Sequence, residues 1–395
     1  MSFTRDVVVI GGCGHVGLPL GLAMADRGLS VALYDLNQDA VDLVSAGRLP
    51  FNEPGASEVL ARVLGRNLMA TTDPSVIGSA ECLVVVVGTP IDEHLCPDPG
   101  AVSQAIEALA DHLVDGQLLV LRSTIFPGVT ALVERVVARL GRNIDVAFCP
   151  ERIAEGRAMT ELYDLPQIVS GRTDDAVGRA EKLFRNLTGE VVRLLPEEAE
   201  LAKLFTNTWR YIKFAIANQC YMIANDFGVD FERIRTAVVH DYPRAADFPR
   251  AGFAAGPCLL KDTMQLAALN KNNFVLGHAA MVVNEGLPLY VTARMDDEFD
   301  LSEMTVGILG MSFKAESDDI RSSLSFKLKK ILGFKAKRVI CTDPYVQHDD
   351  LLPLEEVLEQ ADILVIATPH ACYAELPDDR PIIDIWGLTR DSVLI

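Results

Sequence analysis

Hydrophobic positions along the chain alternate between two textures. Val7–Ile10, Cys82–Val87 and Gln117–Arg122 are short apolar runs rich in β-branched and leucine residues, the pattern of strands buried on both faces of a parallel sheet. Ser30–Tyr34, ending at Asp35, and Ile144–Phe148 read the same way. Between the first two strands, Leu18, Leu20, Leu22, Ala23 and Met24 form a helical stretch that closes at Gly28. Strands alternating with helices predict βαβ units and a doubly wound sheet.

From about Glu197 the texture changes. Glu198–Phe227 has apolar residues at helical spacing and no proline, which predicts one helix about 45 Å long at 1.5 Å per residue. Helical patterns continue through Ile234–Val239 and Thr263–Arg294. Strands return at Thr305–Leu309, Arg338–Thr342, Ile363–Ala367 and Ile382–Ile385, with a helix around Ser325–Leu332. The expected class is α/β: two Rossmann-like, doubly wound parallel-sheet domains joined by a long central helix and a helical domain. The expected boundaries are 1–196, 197–296 and 297–395.

Composition narrows the chemistry. Of 395 residues, 49% are hydrophobic and 23% charged, an ordinary globular balance with material for more than one core. The formal charge of −19 repels phosphate backbones and argues against a nucleic-acid partner. The 8 cysteines are scattered without a CxxC pair, so no metal site or disulfide framework is expected and a reducing compartment is. No apolar run reaches the ~18 residues of a membrane span. The opening residues run straight into a strand, leaving no room for a signal peptide. A cytoplasmic enzyme is expected.

Gly12-Cys13-Gly14-His15-Val16-Gly17 follows the first strand and opens a helix, and Asp35 ends the next strand. This is the dinucleotide fingerprint in its context. Gly12 permits the turn, Gly14 lets a pyrophosphate approach, and Gly17 lets helix and strand pack. The acidic Asp35 accepts from ribose hydroxyls and repels a 2′-phosphate, so NAD is expected over NADP. Thr89 and Thr124, each just past a strand, are assigned to the cofactor as well.

Further blocks run in order along nearly the whole chain. They are Gly88-Thr89-Pro90, Ser123-Thr124-Ile125-Phe126-Pro127-Gly128, and Cys149-Pro150-Glu151-Arg152 with Glu155-Gly156. Glu200, Lys203 and Asn207 follow, then Gly256-Pro257-Cys258-Leu259-Leu260-Lys261-Asp262, then Phe313-Lys314 with Asp318-Asp319 and Arg321-Ser322. With the fingerprint, these resemble the UDP-glucose/GDP-mannose dehydrogenase family. Two departures are the Ala255-Gly256-Pro257 approach to the cysteine and Leu260 before the Lys-Asp pair.

The resemblance implies oxidation of a nucleotide sugar's CH2OH to a carboxylate, and the residues suit that chemistry. Four electrons leave as two hydrides, and a cysteine that adds to the intermediate aldehyde prevents its loss. Cys258 has the right neighbours for this nucleophile. Its thiolate needs a nearby cation or helix N-terminus. Cys82, Cys96, Cys341 and Cys372 read as core residues, and Cys13 as a filler of the fingerprint.

By resemblance, Lys203 stabilises oxyanions at C6 and Asn207, four residues on, positions the reacting groups or a water. Asp262 acts as a base or orients the hydrolytic water with Thr124. Glu151 takes part in hydrolysis if burial raises its pKa, and Glu155 and Arg152 bind or position substrate. Lys261, Phe313, Lys314 and Arg321 belong to the substrate side. One of Arg244 and Arg250 is expected to reach a neighbouring subunit's substrate, and a homodimer is expected through the long helix. The Cys-Pro-Glu-Arg block and the Gly-Phe-Ala-Ala-Gly-Pro-Cys loop look most like members acting on UDP-N-acetylhexosamines, with UDP-glucose as the alternative. A one-step hydroxyacid dehydrogenase and a non-catalytic NAD-binding protein are the competing readings. Neither needs Cys258. The uronic acid product would serve a surface polysaccharide or a glycosylated metabolite.

Overall fold

The computed structural model describes residues 3–89, 98–254 and 256–389. They form two compact units, Met1–Phe205 and Thr206–Ile395. The first is built on an eight-stranded sheet. Its strands are β1 (Arg5–Ile10), β2 (Val31–Tyr34), β3 (Leu68–Thr71), β4 (Ala80–Val85), β5 (Leu118–Leu121), β6 (Asp145–Phe148), β7 (Gln167–Gly171) and β8 (Val191–Leu194). Their order is β3-β2-β1-β4-β5-β6-β7-β8, so the order reverses between β1 and β4. Doubly wound sheets bind ligands at such a switch point.

The central strands are apolar throughout because both faces are covered. Val7, Val8 and Val9 on β1 and Leu118 to Leu121 on β5 are fully buried. Pairing is parallel except between β6 and β7, where Ala147 faces Gly171 in antiparallel register. That reversal departs from the parallel sheet expected, and β3, β7 and β8 are strands the apolar runs do not predict.

The second unit carries a four-stranded parallel sheet of β9 (Thr305–Leu309), β10 (Arg338–Thr342), β11 (Ile363–Ile366) and β12 (Ile382–Asp384), in the order β10-β9-β11-β12. One helix, Pro196–Asp226, spans 31 residues and fulfils the long-helix expectation. Its Pro196 sits at the first helical position, where a missing N–H costs nothing. The Thr263–Arg294 pattern resolves into two helices, Leu259–Leu269 and Val275–Glu298. Lys271 and Asn272 break it by adopting left-handed backbone, φ 53° and 57°. Apolar periodicity does not register such a stop. Among the described residues, no helix is long and apolar enough to cross a membrane.

The two sheets share a local device. Gly11 follows β1 with φ 80°, and Cys13 N–H donates to Asp35, just past β2, at 2.9 Å. Gly310 follows β9 with φ 92°, and Ser312 N–H donates to Asp343, just past β10, at 3.0 Å. In each, a carboxylate just past the neighbouring strand latches the turn that leaves the first strand.

Gly17, which opens the Gly17–Asp26 helix, shows how tight the first turn is. A Cβ there would lie 2.2 Å from the Gly11 carbonyl oxygen and 2.9 Å from the Gly12 Cα. Gly17→Ala is expected to cost about 2 kcal/mol of stability through overpacking and to weaken cofactor binding. Thermal unfolding and an NADH fluorescence titration check both effects.

Candidate active site

The cofactor turn lies at the switch point of the first sheet. A Cβ on Gly14 would meet only the Gly11 oxygen, at 3.8 Å, so the turn presents open backbone where a phosphate can approach. A cavity of about 570 Å³ adjoins it, lined by Gly11, Gly14, Asp35, Leu36, Pro74 and Gly88 among others. Asp35 is held by the N–H groups of Cys13 and Asn37, at 2.9 and 3.0 Å. Open glycine backbone, an apolar cleft and an acidic residue at its edge fit the adenosine and pyrophosphate of NAD. Val16 immediately precedes the helix. Thr89 and Thr124 lie in the segments that follow β4 and β5, while Pro90 and Cys96 fall outside the described residues.

His15 points away from this cleft toward a second cluster in the same unit. It stacks on Phe51, with ring centroids 4.0 Å apart, and its Nδ1 lies 3.3 Å from Glu155. The buried Glu53 accepts N–H groups from Gly156 and Ala158, at 2.8 and 2.9 Å, which fixes the loop carrying Glu155. In the sequence, Phe51 and Glu53 read as ordinary loop residues.

Glu151 is buried beside Arg122, whose guanidinium pairs with it, and Glu151 also accepts N–H from Arg152 and Ile153. Arg122 is itself fully buried, stacked 4.6 Å over Phe184 and donating to Gln167 and to the Cys149 carbonyl. Arg152 donates to the Pro166 carbonyl, and burial lowers its pKa. Both residues are thus engaged within the fold. Glu200, also buried, accepts N–H from Gly128 and Thr130, and so pins the turn that carries Thr124 to the start of the long helix.

In the second unit, Cys258 is the N-cap of the Leu259–Leu269 helix and is exposed. A thiolate there meets the helix's unpaired N–H groups and positive dipole end. Asp262, one turn on, is fully buried and accepts from Asn207 Nδ2 at 2.5 Å. Lys261 Nζ lies 3.7 Å from its other oxygen. Lys203 precedes Asn207 by one turn on the long helix. Gly256 has φ 101°, and a Cβ there would sit 2.6 Å from the Phe313 ring. The loop before Cys258 therefore rests on the segment that carries Phe313 and Lys314. Ala255 lies outside the described residues.

The remaining cations are tied locally. Arg321 forks onto Asp319, Arg244 donates to its neighbour Tyr242, and Arg250 lies 3.3 Å from Glu232. Cysteine environments separate the candidates. Burial pushes the thiols of Cys13, Cys82 and Cys149 up to about 12 and that of Cys341 to about 11. Cys372, expected in the core, is instead exposed. It lies on a short turn, Ala371–Tyr373, where the neighbouring Tyr373 takes the inward position.

A dinucleotide turn at a sheet switch point marks an NAD-dependent oxidoreductase. The chain belongs to the UDP-glucose/GDP-mannose dehydrogenase family: its NAD binding domain matches residues 5–188, its central domain residues 197–285 and its UDP binding domain residues 307–391. The chain is 31% identical to UDP-N-acetyl-D-mannosamine dehydrogenase of Pyrococcus horikoshii, over 92% of this chain and 89% of that one. A solved UDP-D-ManNAc dehydrogenase from Pyrococcus horikoshii superposes with a TM-score of 0.89 at 29% identity, covering 97% of this chain and 96% of the other. A UDP-glucose dehydrogenase from Pyrobaculum islandicum gives 0.88 at 27%, covering 99% and 96%.

Proposed function

We propose that this enzyme oxidises the C6 alcohol of a UDP-N-acetylhexosamine to the uronic acid, with Cys258 as covalent nucleophile. The observation that carries the reading is the exposed Cys258 at a helix N-terminus, one turn before a buried Asp262 held by Asn207. Bound NAD supplies the hydride acceptor for each oxidation. The Cys258 sulfur adds to the aldehyde, and the resulting hemithioacetal loses a hydride and a proton to become a thioester. A water oriented by Asp262 and Thr124 cleaves it, releasing the acid and restoring the thiol. Lys203 and Asn207 stabilise the oxyanions at C6. Glu155 positions substrate, while Glu151 and Arg152 support that loop from within the fold. Phe313, Lys314 and Arg321 face the nucleotide, and Lys261 and one of Arg244 and Arg250 complete the substrate contacts.

The names of the relatives favour an acetamido sugar, whereas the Pyrobaculum islandicum structure favours UDP-glucose as the second reading. An NAD-reduction screen over UDP-ManNAc, UDP-GlcNAc, UDP-GalNAc, UDP-glucose and GDP-mannose decides between them. Two NADH per sugar are expected. One per sugar would return the reading to a single-step dehydrogenase.

Three functional segments, 1–196, 197–296 and 297–395, are proposed for cofactor, catalytic loop and nucleotide. A homodimer is proposed as well. Trp209, Ile216 and Ile223 on the long helix, and Phe227 just past its end, are each half or more exposed, a patch of the kind that marks an interface. Ile216→Asp combined with Ile223→Asp is expected to shift the sedimenting species from dimer to monomer. A fully active monomeric wild type would contradict the patch's role. A cytoplasmic setting and a product used in surface polysaccharide suit this chemistry.

A further inference from the structure

His370 is fully buried where β9, β10 and β11 end, and its ring is contacted from three loops. Glu316 N–H donates to Nδ1 at 3.0 Å, so the ring proton lies on Nε2. Nε2 lies 3.2 Å from both Asp343 Oδ2 and Ser312 Oγ. Ser312 Oγ in turn donates to the Lys314 carbonyl at 2.9 Å. The segment from Ser312 to Glu316, which holds Phe313 and Lys314, is therefore anchored to one imidazole at both ends.

The Glu316 anchor is the demanding one. Its backbone is left-handed, φ 56°, which costs energy for a residue with a side chain. A buried acceptor aimed at its N–H offsets that cost. The Glu316 carboxylate is held by Tyr345 and by Ala371 N–H at 2.8 Å, which lowers its pKa. Asp343 completes the ring's surroundings. Burial opposes its ionisation, but His370 and the N–H groups of Ser312, Tyr345 and Met311 hold it down to about 2.

We propose that His370 is a positioning residue for nucleotide recognition: its Nδ1 keeps Glu316 left-handed and thereby sets Phe313 and Lys314 for the UDP moiety. This rests on the proposed assignment of the Phe313-Lys314 segment to the nucleotide. His370 itself touches no substrate. The decisive feature is an acceptor at the Nδ1 position, which asparagine can supply through Oδ1 and glutamine, one carbon longer, cannot.

The experiment titrates UDP alone into the full-length wild type, His370→Asn, His370→Gln and Lys314→Ala, with NADH affinity and Tm measured on each. His370→Gln is expected to weaken UDP binding about tenfold or more, as loss of a buried hydrogen bond would. It should raise KM for the UDP-sugar far more than it changes kcat. His370→Asn is expected to restore most of the UDP affinity, and NADH affinity should stay unchanged in both. Equal UDP binding by His370→Gln and wild type, alongside weak binding by Lys314→Ala, would overturn the role of His370. Equal losses in both His370 variants together with lost NADH affinity would also overturn it, as general damage to the fold. Wild-type UDP affinity in Lys314→Ala would instead overturn the nucleotide assignment of the segment.

Discussion

Cys258→Ser is expected to lower uronic acid formation by about a thousandfold or more, the scale seen when a covalent nucleophile is lost. A serine hydroxyl at the same N-cap keeps the geometry but not the acidity. The helix terminus that favours a thiolate cannot ionise an alcohol at neutral pH. NADH released per sugar should fall from two to at most one, because the sulfur acts only after the aldehyde has formed. Cys372→Ser tests the other cysteine exposed among the described residues and is expected to leave turnover within the small range of a neutral surface change. Acid production near the wild-type rate by the Cys258 variant would remove the sulfur from the mechanism.

The largest stability effect is expected from Arg122→Met. The wild-type guanidinium pairs with Glu151, donates to Gln167 and the Cys149 carbonyl through its two terminal nitrogens, and stacks on the Phe184 ring. Removing the guanidinium strands the Glu151 carboxylate in the interior, which costs about 3–5 kcal/mol. The double variant Arg122→Met with Glu151→Gln should recover a substantial part of that loss, because no uncompensated charge remains. Chemical denaturation of the two variants measures the difference. If the single variant were as stable as wild type, the pair would contribute little to holding the β5 and β6 ends together.

Much of the fold was legible because its signals are local. The β1 strand, the glycine turn, the helix and Asp35 lie within some thirty residues, and each element's period is distinct from the next. The Cys258 loop was legible for the same reason. What the sequence did not disclose joins residues far apart. Glu53 and Ala158 are separated by 105 positions, Glu200 and Thr130 by 70, and Arg122 and Glu151 by 29. No periodicity encodes such pairs, since a residue's pattern with its near neighbours carries no mark of a partner tens of positions away. The antiparallel joint between β6 and β7 was hidden for a related reason. Strands of four and five residues carry no mark of direction, and the helix Ala158–Asp164 lies between them. Cys372 reads as a core residue because a cysteine on a single-turn helix has no apolar stripe to place it.

The latch shared by the two sheets has a consequence for the order of events. In the first sheet the turn beyond the latch is open backbone. In the second, Thr368 closes over Gly310, where a Cβ would come within 2.4 Å of it, and His370 fills the space beside Asp343. Of these two turns, the first is the one that leaves glycine backbone open to a coenzyme's pyrophosphate. Under the proposed two-hydride mechanism, that turn would serve twice, with spent coenzyme departing and a fresh one docking between the oxidations. Under that same proposed mechanism, the Cys258 sulfur tethers the half-finished sugar for the length of that vacancy.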